Sequence, residues 1–169
     1  MIDERSIAVI GAGMAGLSCA RRLAAAGLAP VIFDKGRGVG GRLATRRTFE
    51  GLQFDHGAQY VTARKDGFRE LLTEMLQAGV ADVWEDSACS ERFVGTPGMN
   101  ALAKHLAKGL DVRVNVEIRN ISGSSTGWII TTGTETLNFQ RVVITVPMAK
   151  PPNAFQLGCG SVRTLNETI

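Results

Sequence analysis

Ser6-Ile7-Ala8-Val9-Ile10-Gly11-Ala12-Gly13-Met14-Ala15-Gly16 begins a stretch that ends at Pro30-Val31-Ile32-Phe33-Asp34, and its reading decides the fold. A short apolar run leads at once into a glycine turn. Leu17–Ala26 is alanine-rich with helical patterning, and Gly27 closes it. Pro30–Phe33 is a second apolar run with Asp34 at its end. Strand, glycine turn, helix, strand and acid, in that order, are the parts of a βαβ unit that holds a dinucleotide. Gly11 lets the chain leave the strand in a tight turn. Gly13 lets a pyrophosphate approach the backbone, and Gly16 lets the helix pack on the strands. A helix starting near Met14 turns its free N–H groups and positive dipole end toward the phosphates. Asp34 follows the glycines by about 20 residues, where a carboxylate accepts hydrogen bonds from a ribose. The glycines alone would equally suit a turn in some other α/β domain, but that reading leaves Asp34 without a role.

The chain has 169 residues, 44% of them hydrophobic, which suits one domain with a real core. No apolar run approaches the roughly 18 residues of a membrane helix. The first apolar segment is too short for a signal peptide and flows straight into the glycine turn. We therefore expect no membrane partner and a cytoplasmic protein. Cys19, Cys89 and Cys159 are odd in number and far apart. With no metal spacing among them we expect no metal site and idle thiols in a reducing compartment. Cys19 falls early in the nucleotide helix, so it is either a packing residue or a thiol of lowered pKa. The net charge of +3 is spread along the chain. Its densest group, Lys35–Arg47, lies beside the expected phosphate site and reads as serving an anionic cofactor. Nucleic acid is the alternative, but no nucleic-acid-binding motif accompanies the charge, so none is expected as a partner.

Outward from Asp34, Lys35-Gly36-Arg37-Gly38-Val39-Gly40-Gly41-Arg42 holds four glycines and three basic residues. It reads as a loop folding closely around a ligand, with the Arg42 guanidinium on phosphate oxygens. A solvated loop is the other reading. Leu43–Gln53 should be largely exposed. In Phe54-Asp55-His56-Gly57-Ala58-Gln59-Tyr60, Gly57 and Ala58 allow close backbone approach. Gln59 and Tyr60 offer hydrogen bonding or stacking, unless Tyr60 simply fills core space. His56 reads as structural rather than catalytic. Asp66–Ala78 carries Phe68, Leu71, Leu72, Met75 and Leu76 at helical spacing, with Asp66 as cap and Gly79 as stop. Trp84 and Phe93 should anchor short extended pieces. Thr96-Pro97-Gly98 should start a second helix, with Thr96 as cap. Asp111–Val116 and the following segments, around a loop at Gly123–Gly127, form an antiparallel meander with strands at Trp128–Thr132 and Thr136–Phe139. Val142–Val146 is a continuous apolar run, expected to be a strand buried on both faces.

Several segments together resemble the flavin-containing amine oxidase superfamily, and most closely its bacterial renalase-like branch. They are Val9–Gly16, Phe33-Asp34-Lys35, Gly40-Gly41-Arg42, Asp55–Tyr60, Phe93–Met99 and Val142–Pro147. The resemblance implies an α/β, Rossmann-like FAD-binding domain of three layers, with a mostly parallel sheet and an antiparallel meander. This domain would span residues 1–147 and include the start of an inserted substrate domain at about 54–93. FAD is the cofactor implied. Gly11, Gly13, Met14, Ala15 and Gly16 would cradle its pyrophosphate, and Asp34, followed by Lys35, would hold the adenosine ribose. Gly41 and Arg42 would contact the phosphates. Gly57, Ala58, Gln59 and Tyr60 would lie toward the flavin, and Ile118 would meet adenine through its backbone. The chemistry implied is hydride transfer from a small-molecule substrate, an isomeric dihydro-NAD(P) or an amine, with reoxidation by dioxygen. The alternatives are a non-catalytic dinucleotide-binding fragment and an NAD(P)-dependent dehydrogenase. The second glycine-rich segment after Asp34 argues against the dehydrogenase. No catalytic residue and no oligomeric state follow. Family members are about twice this long, and residues 148–169 do not look like the family continuation. The expectation is a truncated chain with a disordered or atypical tail, weak FAD binding and little turnover.

Overall fold

The computed structural model describes residues 4–84 and 91–146. They form two compact units: one holds the chain up to Gly38 together with the chain from Gly109 onward, the other is Val39–Lys108. The first unit opens with β1 (Ser6–Ile10), α1 (Met14–Ala25) and β2 (Ala29–Phe33). The second holds β3 (Thr45–Arg47), β4 (Gln53–Asp55), α2 (Asp66–Gln77), β5 (Ala81–Val83), β6 (Phe93–Gly95) and α3 (Asn100–Ala107). The chain returns to the first unit with β7 (Asp111–Arg113), β8 (Asn120–Ser124), β9 (Gly127–Thr131), β10 (Thr136–Phe139) and β11 (Arg141–Ile144).

In the first unit four parallel strands lie in the order β11-β1-β2-β7. Side chains alternate across a strand, so β1 serves two faces. Ala8 and Ile10, with Phe33 of β2, pack against Ile121, Ile130 and Phe139 of the antiparallel β8–β10 meander. Phe33 and Phe139 meet edge to face at 5.8 Å. Ile7, Val9 and Ile32 point the other way, and they are buried, as are Leu17 and Ala20 of α1. Helix, parallel sheet and meander are thus the three layers expected. The close of α1 also follows the sequence. Gly27, at φ +78, donates its N–H to Ala24 O, and Leu28 N donates to Leu23 O, so the last carbonyls of the helix are satisfied locally.

Several local expectations give way to tertiary context. Val142–Val146 is not buried on both faces. Among the described residues β11 is the outer strand of its sheet, its valines are half-buried, and Ile144 and Val146 are exposed. The strand at 111 stops at Arg113 and pairs in parallel with β2, so it belongs to the parallel sheet and not to the antiparallel meander expected for it. Asn115, at φ +57, turns the chain so that Asn115 N and Val116 N donate to Gly36 O and Asp34 O.

In the second unit Asp66 is the first residue of α2 rather than its cap, which is Lys65. An acid in the first turn still suits the helix dipole. Gly79 stops α2 as expected, at φ +67 with its N–H on Leu76 O. Thr96-Pro97-Gly98 does not start α3, which begins at Asn100 without a local side-chain cap. Its first amides are served from the β3–β4 hairpin instead: Met99 N donates to Asp55 Oδ1 and Asn100 N to Thr45 Oγ1. Leu43 is buried inside a segment expected to be exposed, and Trp84 is exposed whereas Phe93 is buried. His105 of α3 is buried and bonds Glu74 of α2 at 2.9 Å, tying the two helices together. Cys89, Cys159, Pro147 and the 148–169 tail lie outside the described residues.

Candidate dinucleotide site

The glycine turn is built by close contacts within the first unit. Gly11 leaves β1 at φ +108, a conformation that favours glycine, and its N–H donates to Phe33 O at 2.8 Å. A Cβ on Gly16 would lie 1.9 Å from Gly11 O and 2.8 Å from Thr145 Oγ1. Only a glycine lets α1 come this near the turn. Gly13 is different: a Cβ there would meet nothing within 4 Å. No steric need within the described chain explains a glycine at Gly13, and a ligand that must approach the backbone does. Gly13 caps α1 without a side chain, and no acid lies in the first turn. The first intrahelical bond is Leu17 N to Gly13 O, so the amides of Met14, Ala15 and Gly16 precede it. This helix end is left for an external anion. Ala15 is exposed and Met14 half-buried.

Asp34 stands at the end of β2, beside this turn. One carboxylate oxygen accepts from Ala12 N at 2.6 Å and the other from Gly36 N at 2.7 Å. Asp34 therefore links the glycine turn to the loop that follows it. An ionised carboxylate has about four lone-pair sites, so two backbone donors leave room for ribose hydroxyls. The sequence reading missed Thr145. Its hydroxyl donates to Ile10 O at 2.9 Å and lies 3.3 Å from Gly11 O, bracing the turn from the residue just past β11. No local pattern marks it, because its partners are 134 and 135 residues away. Ile118 is half-buried, and its backbone lies in the irregular segment before β8, outside any ladder. Lys35 is exposed. Burial pushes the Cys19 thiol pKa up, and nearby Arg22 only partly offsets this. The lowered-pKa reading of Cys19 is therefore set aside in favour of packing.

The second unit carries the remaining sequence-selected residues. Gly40 and Gly41 both have positive φ and lead into a single tight turn, Gly41–Leu43. Arg42 is exposed. Its carbonyl accepts from Ala58 N at 2.8 Å, and a Cβ on Gly57 would lie 2.0 Å from that oxygen. The Gly-Gly-Arg and Asp-His-Gly-Ala-Gln motifs are thus one local structure. The close approach expected at Gly57 is that of the Arg42 backbone. Gln59 and His56 are exposed. Tyr60 is 38% exposed rather than core, packed edge to face on Trp84 at 5.9 Å and under the Arg92 guanidinium at 4.6 Å.

Two family models account for residues 9–152 between them: an NAD(P)-binding Rossmann-like domain matches 9–76, and flavin containing amine oxidoreductase matches 76–152. Together the two matches support a place in the flavin-containing amine oxidase superfamily. FAD is the cofactor of that superfamily, and the open Gly13, the bare α1 N-terminus and the braced Asp34 fit its ADP half. Among similar proteins, the Lysine-specific histone demethylase 1 homolog 3 of Arabidopsis thaliana is 40% identical over 62 residues, 37% of this chain and 4% of that one. The 4,4'-diapophytoene desaturase of Staphylococcus haemolyticus is 47% identical over 55 residues, 32% of this chain and 11% of that one. The fold matches putrescine oxidase with a TM-score of 0.65 at 15% identity, covering 85% of this chain and 58% of that one. The chain therefore spans less than two thirds of the length of the proteins it resembles.

Proposed function

We propose that this chain is the FAD-binding part of an oxidoreductase of renalase or amine oxidase type. The observation that carries the reading is Asp34, whose carboxylate is held by Ala12 N and Gly36 N beside the uncapped N-terminus of α1. When bound, the flavin supplies hydride acceptance from a reduced small-molecule substrate and passes the electrons to dioxygen. An isomeric dihydro-NAD(P) is the substrate we favour and an amine the alternative, both resting on the family motifs. The work of this chain is to bind and orient. Gly11, Gly13, Met14, Ala15 and Gly16 present backbone to the pyrophosphate, Asp34 accepts from the ribose hydroxyls, and the Ile118 backbone reads adenine. Lys35, Gly41, Arg42 and the Gly57–Tyr60 run are assigned as further cofactor contacts. We also assign residues 1–147 to the FAD-binding domain, with the start of a substrate domain inserted at about 54–93, and a cytoplasmic setting.

The test is the visible absorbance of the purified chain before and after adding FAD, followed by gel filtration. A flavin band that travels with the protein, and is lost in Asp34→Ala, supports the reading. A folded chain that takes up no FAD overturns it. Because the chain spans 58% of the putrescine oxidase chain, a second reading is a dinucleotide-binding piece without turnover of its own. Oxidation of dihydro-NAD isomers or amines by the FAD-loaded chain separates the two.

A further inference from the structure

The second unit holds a cation, Arg92, whose buried Nε donor meets no acceptor among the described residues. Arg92 lies with its guanidinium carbon 4.6 Å from the Tyr60 ring centroid and 6.0 Å from that of Trp84. The two rings meet edge to face at 5.9 Å, and each residue is 38% exposed. Backbone bonds set this geometry. Val61 and Phe93 exchange both N–H···O bonds at 2.9 Å, which places Tyr60 and Arg92 in neighbouring segments. Trp84 N donates to Arg92 O at 2.9 Å, which adds the third member. The Nε of Arg92 is buried and has no hydrogen-bond partner among the described residues. No described acid forms an ion pair with Arg92, and its neighbour Glu91 is taken by Arg69.

Stacking on an aromatic face orients a guanidinium without consuming its N–H donors. A buried donor left unmade costs about 1–3 kcal/mol, so the arrangement is favoured when an acceptor arrives. The planar fork of a guanidinium matches two oxygens of a carboxylate or phosphate. We propose that Arg92, held between Tyr60 and Trp84, is the centre of a binding site for a small oxyanion carried by a ligand as a carboxylate or a phosphate.

The experiment is a nuclear magnetic resonance titration of the full chain at constant ionic strength, with sodium acetate in one arm and inorganic phosphate in the other. The Arg92 Nε–H and Trp84 indole N–H resonances are followed. Saturable movement of both is expected, and the tighter probe identifies the source as carboxylate or phosphate. Phosphate bound at the α1 N-terminus is read separately, at the backbone amides of Met14 and Ala15. Arg92→Lys keeps the charge and loses the fork, so binding read at Trp84 weakens by about tenfold. If neither resonance of the unchanged chain moves saturably at tens of millimolar of either probe, the site does not exist. Binding by Arg92→Lys as tight as in the unchanged chain overturns it equally.

Discussion

Replacing Gly16 by alanine places a methyl group 1.9 Å from the Gly11 carbonyl oxygen and 2.8 Å from Thr145 Oγ1. Real Cβ contacts do not fall below 3.0 Å, so helix and turn must part by about 1 Å. The nearest obstacle is backbone, which cannot swing aside as a side chain does. Overpacking of this kind costs about 3 kcal/mol, and alanine returns about 1 kcal/mol of helix propensity. The net is a loss of about 2 kcal/mol, or roughly 4–8 °C in melting temperature for a chain of this size. Gly13→Ala is the paired control. Gly13 sits at φ −80 and ψ −178, open to any residue, and its Cβ would meet nothing within 4 Å. That variant should stay within about 1 kcal/mol of the parent, since the poorer helix cap is offset by a stiffer unfolded chain. Its FAD affinity should fall by at least about tenfold, because the methyl occupies the approach of the pyrophosphate. Thermal unfolding by circular dichroism and quenching of FAD fluorescence measure the two effects. An unchanged melting temperature for Gly16→Ala, or equal destabilisation by both variants, would refute the division of labour between the two glycines.

Three further outcomes are expected. Thr145→Val keeps the shape but removes the hydroxyl from Ile10 O, so it should cost about 1 kcal/mol in urea unfolding, and an unshifted midpoint would remove Thr145 from the turn. Asp55→Ala strips the acceptor from Met99 N and should cost about 1 kcal/mol. Hydrogen exchange should then show the first turn of α3 fraying, and unaltered protection there would deny the tertiary cap. Burial raises the Cys19 thiol pKa, so less thiolate is present at any given pH than for a free cysteine. Site-resolved iodoacetamide labelling should accelerate only above the ordinary thiol range near pH ~8.5, and an inflection at or below it would contradict the burial.

The sequence by itself determined those parts whose partners are close along the chain. The βαβ order, the start of α1 at Met14, its stop at Gly27, and Asp34 at the end of β2 are all written within about thirty residues. Local spacing also carries the β8–β10 meander, because each hairpin pairs neighbours and alternation states which side is buried. Where the deciding partner lies far away, local spacing is silent or misleading. The Thr96-Pro97-Gly98 signal loses to a cap supplied to Met99 by Asp55, 44 residues before it, since a helix end takes whichever acceptor the fold brings to it. Val142–Val146 reads as a central strand from its composition, yet composition does not say where in the sheet a strand is placed, and β11 is outermost among the described residues. Gly57 is legible as a site of close approach, but only the tertiary structure shows that the Arg42 carbonyl is what approaches. Thr145 behind Gly11 and the stack of Arg92 on Tyr60 and Trp84 leave no local trace at all. The physical reason is common to these cases: propensity and periodicity encode contacts a few residues apart, while long-range hydrogen bonds and packing exist only once the chain has folded.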